Sequence, residues 1–219
     1  MSTISSVDFN TSSPLINNIQ LNSDNLLSEN ISKILEEENT INTISDMGKQ
    51  INKLYSFSKS TKNSRVIEGF NTSMFILRNQ LTSQRAINFF RTAEQLTYGN
   101  AKTFTSLFSS VNALNKNGLA GVINNFMDAV NSIAEKIGAD KLDSFLEKTD
   151  NLGSKLRKEN SKNSEAIMFS FFNTVSQIAN NSDKQQSEEL LNEFLNGLES
   201  ENTSTAIDNY IKNFRETNL

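Results

Sequence analysis

Apolar residues recur along this chain at steps of three and four, and in one stretch they crowd together. Met74, Phe75, Ile76 and Leu77 are four consecutive large apolar residues. At about 100° per residue they point to all four quarters of a helix, which then calls for neighbours on every side. Val66, Ile67 and Phe70 precede the run, and Leu81, Ile87, Phe89, Phe90, Ala93 and Leu96 follow it, with only Thr82 to Arg85 fully polar. Unbroken, Val66 to Leu96 would be a rod of about 46 Å. The pattern predicts a helical body built around it.

The same spacing organises the rest. From Ser23 to Phe57 the apolar positions are Leu27, Ile31, Ile34, Ile41, Ile44, Ile51, Leu54 and Tyr55, with Ser23 as a candidate N-cap. Asn39, Thr40, Asn42 and Thr43 are poor helix formers, so this is one long helix or two joined near there. Fewer than three clean heptads survive, which favours an intramolecular bundle over a coiled coil. Ser58 to Ser64 is a short polar turn that makes its flanking helices antiparallel neighbours.

Beyond Gly99, a C-terminal cap, and Asn100, an N-cap, the predicted helices shorten. Phe104, Leu107, Phe108, Val111 and Leu114 form one stripe, ended by the turn Asn117-Gly118. Val122, Ile123, Phe126, Val130, Ile133 and Ile137 form the next, closed by Gly138. Asp140 caps a segment with Leu142, Phe145, Leu146, Leu152 and Leu156, in which Gly153 predicts a kink or an early end. Ile167, Met168, Phe169, Phe171, Phe172, Val175 and Ile178 make a wide face that must be largely buried. Ser182 and Gln185 fit a capping box ahead of Leu190, Leu191, Phe194, Leu195 and Leu198. Ile207, Tyr210, Ile211 and Phe214 close the chain.

The expected fold is therefore all-α: a helical bundle of seven or eight helices, two long N-terminal helices forming a hairpin followed by shorter ones. Residues 1–22 read as a flexible polar leader, and 23–219 as one all-helical domain with a subdivision near 99. No internal repeat of fixed period is found in the sequence.

Composition changes the picture mainly by exclusion. The 219 residues include no cysteine, no histidine and one proline. Disulfides, thiolate metal sites and cysteine nucleophiles are excluded together, as are imidazole bases and ligands. Apolar residues make up 36% and the net charge is −4, so the surface is polar through Asn and Ser rather than through charge. No apolar run approaches the roughly 20 residues of a membrane-crossing helix. The longest candidate, Ala166 to Val175, is interrupted by Ser170, Asn173 and Thr174. The 15 phenylalanines lie mostly on the apolar stripes, where core packing accounts for them.

Chemistry-bearing motifs are sparse. Asp143, Glu147 and Asp150 fall at helical spacing and lack the acid alternation and central Gly of a calcium loop, so they read as a solvated helix face. Glu36-Glu37-Glu38 and Glu188-Glu189 are read as solvated acids too. Gly118 and Gly121 have no lysine after them and no strand before them, which leaves a turn rather than a phosphate loop. No metal, cofactor or catalytic residue is expected. One charge feature remains: Lys49, Lys53, Lys59, Lys62 and Arg65 stand between Asp46 and Glu68 with no acid among them. They are either cations at a helix C-terminus and a soluble hairpin tip, or a docking patch for an acidic partner or an anionic membrane surface. Nucleic acid is not expected, because five cations on an acidic chain release few counterions.

The first 22 residues carry a single charge, Asp8, and no apolar h-region, which excludes a conventional signal peptide. In composition alone this leader resembles the uncleaved polar N-termini of proteins passed through type III or flagellar secretion channels. That resemblance implies a bacterial protein secreted without a cleaved signal; the alternative is a cytoplasmic one. The leading expectation is a non-enzymatic helical protein that binds another protein, with its oligomeric state left open. The alternatives are a membrane-active protein that inserts its Phe-rich helix, and a small helical enzyme working without His or Cys.

Overall fold

The computed structural model describes residues 38–78, 84–97, 101–159, 162–181 and 183–219. Among them there are nine α-helices and no strand, so the all-α expectation holds with one or two helices more than the spacing suggested. The chain divides into two compact units, Met1–Gly99 and Asn100–Leu219. The leader, the helical pattern from Ser23 up to residue 37, and the caps expected at Gly99 and Asn100 lie outside the described residues.

In the first unit, α1 (Glu38–Ser60), α2 (Ser64–Leu77) and α3 (Gln84–Thr97) follow one another. The expected rod is described as α2 and α3, with residues 79–83 between them outside the description. Helix α1 packs on both. Its Met47, Ile51, Leu54 and Tyr55 bury against a core that includes Phe70 and Met74 of α2 and Phe89, Phe90 and Ala93 of α3. The expectation that Met74 to Leu77 must be enveloped is corrected: Met74 and Leu77 are buried, whereas Phe75 is 38% exposed. A helix has an outer face however apolar the run it carries, and here Arg78 covers that face, its guanidinium 4.0 Å from the Phe75 ring.

The turn between α1 and α2 is built from hydroxyls. Ser58, Ser60 and Thr61 donate to the carbonyls of Tyr55, Phe57 and Ser58, and Lys62 takes the left-handed conformation with φ 52°. Asn63 then caps α2, its Oδ1 accepting from the Arg65 backbone N–H at 3.0 Å.

The second unit contains α4 (Ala101–Lys116), α5 (Ile123–Ser132), α6 (Leu142–Lys158), α7 (Ser164–Asn181), α8 (Lys184–Ser200) and α9 (Ser204–Asn218). Helix α4 ends in a Schellman motif: Leu119 N–H reaches Leu114 O, Gly118 N–H reaches Asn115 O, and Gly118 has φ 74°. A 3₁₀ turn, Ala120–Val122, leads into α5, which widens into a π turn, Ile133–Ile137, stopped by Gly138 at φ 142°. Helix α6 is entered through a second 3₁₀ turn, Ala139–Lys141, rather than through an Asp140 cap. It runs on through Gly153, where a break was expected. The physical reason is packing: a Cβ at Gly153 would stand 3.3 Å from Asn117 Nδ2 and 3.4 Å from Leu119 Cδ1, so glycine serves close approach, not a kink. At α8 the cap is Asp183, whose Oδ1 accepts from Gln186 N–H at 3.0 Å; Ser182, the expected cap, lies outside the described residues.

Alternate helices of this unit run parallel. Between α4 and α6, Thr103 bonds Asp143 and Arg157 bonds the Asn117 side chain, each pair 40 residues apart. Between α5 and α7, Asn125 bonds Asn173 and Asn180 bonds Ser132, each pair 48 apart. A constant offset means that both helices advance together. Sequence neighbours α7 and α8, and α8 and α9, pack directly as hairpins. The result is a stack of helical hairpins in which α7 touches α5, α6, α8 and α9.

A column of rings runs through this stack, one from each helix after α4. Phe126, Phe145, Phe171, Phe194 and Tyr210 lie nearly parallel, with successive centroids 6.1, 5.9, 5.8 and 5.9 Å apart. Phe172 and Phe214 close on it at steeper angles. Offset rings at this spacing contribute about 0.5–1.5 kcal/mol per pair beyond the area they bury. Most phenylalanines are core, as expected, although Phe169 is 48% exposed on α7.

Candidate functional site

The five cations singled out in the sequence do not share one face. Lys49 and Lys53 lie one turn apart on exposed positions of α1, and Lys53 is paired with Glu94 of α3. Lys59 lies over the Tyr55 ring, its Nζ 4.5 Å from the centroid. Lys62 and Arg65 sit at the α1–α2 turn, where their backbones form the bend. The structure thus holds Lys53 and Lys59 on partners within the first unit and gathers Lys59, Lys62 and Arg65 around one end of a hairpin.

A more enclosed basic surface lies in the second unit, between α6 and α8. It is a cleft of about 470 Å³ lined by Lys148, Asn151, Leu152, Ser154, Lys155, Lys158, Leu198 and Glu199. Leu152 and Leu198 form an apolar floor, each nearly buried. The three lysines fall at steps of seven and three along α6, which puts them on one flank of that helix. Two are fixed by the stack: Lys148 pairs with Glu199, and Lys155 Nζ donates to the Glu201 carbonyl at 2.7 Å, closing the C-terminal end of α8. Within the first pair Lys148 is the sheltered member, 13% exposed against 62% for Glu199. Lys158 is exposed.

Acids elsewhere on α6 are handled differently. Asp143 accepts from Thr103 Oγ1 at 2.6 Å and lies 3.6 Å from Lys102 Nζ. Asp150 was expected on a solvated face, and this is corrected: its Oδ1 is shut from solvent against α4 and has no hydrogen-bond partner. Burial pushes its carboxyl above the ordinary range, while the Ser110 hydroxyl works in the other direction. Glu188 and Glu189 are also engaged rather than free, the first with Lys141 and the second accepting from Gln185. In α9, burial raises the Tyr210 phenol, helped by Glu193 and Glu201, and its hydroxyl lies 3.3 Å from the carbonyls of both Glu193 and Phe194.

Among the described residues no group of three or more acids is placed to hold a metal ion, and no helix is long and apolar enough to cross a membrane. The α6–α8 cleft was missed from the sequence because its two walls are some 40 residues apart. The available signal was the run Lys148, Lys155, Arg157, Lys158 on one helix. Compared with known proteins, the chain matches no family model, no curated protein and no solved structure.

Proposed function

We propose that this is a non-enzymatic helical protein that binds another protein, and that the α6–α8 cleft takes an acidic segment of that partner. The observation that carries the reading is a concave surface with three lysines around two leucines, on a unit in which acids outnumber cations. Of the lining residues only Glu199 is an acid, and it is the exposed member of its ion pair, so an incoming carboxylate can take its place on Lys148. The spacing of Lys148 and Lys155 asks for carboxylates roughly 10 Å apart flanking one aliphatic side chain. Partly sheltered charges of this kind set specificity and association rate more than affinity.

The test is fluorescence anisotropy with a labelled helical peptide of glutamate and leucine and with its glutamine counterpart. The glutamate peptide is expected to bind, to weaken as salt rises, and to weaken further with Lys155→Gln/Lys158→Glu in a variant whose circular dichroism is unchanged. Equal binding of both peptides, or indifference to the lysine changes, would overturn it.

Export belongs to the same reading and rests on the polar leader with its single charge. Residues 1–22 fused to a reporter are expected to carry it into the medium of a type III-competent bacterium. Release that persists when the secretion apparatus is deleted would count against that route. The first unit enters as a helical hairpin whose first arm the apolar spacing extends back towards Ser23.

A further inference from the structure

Helix α6 meets α4 through two carboxylates seven residues apart, and only one of them is satisfied. Asp143 has a hydroxyl donor and a cation, Thr103 and Lys102. Asp150, two turns on, faces the fully buried Ser110, and neither Asp150 Oδ1 nor Ser110 Oγ is in hydrogen-bonding geometry with anything. Two shut-in oxygens without partners are costly in a helix contact that is otherwise closely packed.

No charge nearby compensates. The charged residues of the packed elements are Lys102 and Lys116 on α4, Glu165 on α7, and Asp140 and Lys141 in the turn before α6. On α8 they are Lys184, Glu188, Glu189, Glu193 and Glu199, and on α6 itself the nearest are Glu147 and Lys148. Lys102 goes to Asp143, Lys141 to Glu188 and Lys148 to Glu199. None of these groups moves the Asp150 carboxyl, whose surroundings are set by burial and by Ser110.

We propose that the α4–α6 contact is a proton-linked joint: as pH falls, Asp150 takes up a proton while still packed against Ser110, and the contact tightens. Protonation removes the charge that burial penalises, and it needs no change in packing, because the Ser110 hydroxyl can stay beside the carboxyl in either state. The direction follows from burial. Because the folded state holds this proton more firmly than the unfolded chain does, the stabilisation is complete below the ordinary carboxylate range and fades as pH rises through the raised value.

The test uses the full chain. Asp150→Asn, which copies the neutral side chain, is expected to melt above the parent at pH about 7.5, with the gap closing by pH about 4. Asp143→Asn, which removes a charge-assisted bond, is expected to melt below the parent at pH about 7.5. A gap for Asp150→Asn that is the same at both pH values, or of the reverse sign, would overturn the joint. Carboxyl ¹³C titration of the parent provides a reading that does not depend on any variant folding. The Asp150 midpoint is expected above about 3.9, and higher still with Ser110→Ala. A midpoint at or below that value would refute the proposal.

Discussion

The two units solve the same problem, packing amphipathic helices without disulfides or metals, by different means. In the second unit five rings from five successive helices stack into one column, and its first turns close on glycines, Gly118 and Gly138. In the first unit the ring contacts include Tyr55 with Phe70, between α1 and α2, and Phe89 with Phe90, within α3, and the turn closes on a lysine at positive φ. A continuous column couples every helix it passes through, so removal of one ring is felt by several. A contact such as Phe89 with Phe90, within one helix, couples no second helix by itself. The second unit should therefore unfold as one cooperative body, and its local defects should propagate.

The largest expected effect comes from breaking the column at its centre. Phe171→Ala should destabilise the second unit by about 3–5 kcal/mol. In a double-mutant cycle with Phe194→Ala, denaturant melts should show a coupling of about 0.5–1.5 kcal/mol. Additive losses would mean that the rings are merely neighbours.

Next comes Gly197→Ala. The added Cβ would overlap the hydroxyl end of Tyr210, so that side chain would have to leave its place between α8 and α9, at a cost of about 1–3 kcal/mol. The change should cost much less in a Tyr210→Ala background, measured by thermal melts.

Smallest is the pair of turns. Gly118→Ala places a side chain at φ 74° with open space around it, so its cost of about 1 kcal/mol is conformational alone. Lys62→Gly should relieve the corresponding strain in the first unit and raise its stability by a few tenths of a kcal/mol. Equal losses from both changes would erase the contrast between the turns.

Much of the fold was legible because amphipathic spacing is a local property. The stripes at Phe104 to Leu114 and Ile167 to Ile178 are helices, and the turn after Lys116 closes on the expected glycine. What spacing could not carry was the identity of each face's partner. Gly153 carries the same local signal as a helix breaker and serves instead as the point where Asn117 and Leu119 press on α6. Asp150 has the sequence surroundings of a solvated acid and is shut against Ser110, 40 positions earlier. Phe75 belongs to an unbroken apolar run, and its exposure depends on which neighbours α2 has. The α6–α8 cleft is likewise a product of tertiary pairing. Its lysines were visible, but its leucine floor is drawn from two helices.

The cleft and the acid pair on α6 both rest on one geometric claim, that alternate helices of the second unit run parallel. The absence of cysteine makes a direct test simple. Cysteines placed at 125 and 173, or at 132 and 180, should cross-link readily on mild oxidation in the full chain, because those side chains are hydrogen-bonded across α5 and α7. Cross-linking of 125 with 180 and of 132 with 173 instead, the pairs that an antiparallel arrangement would bring together, would contradict the account.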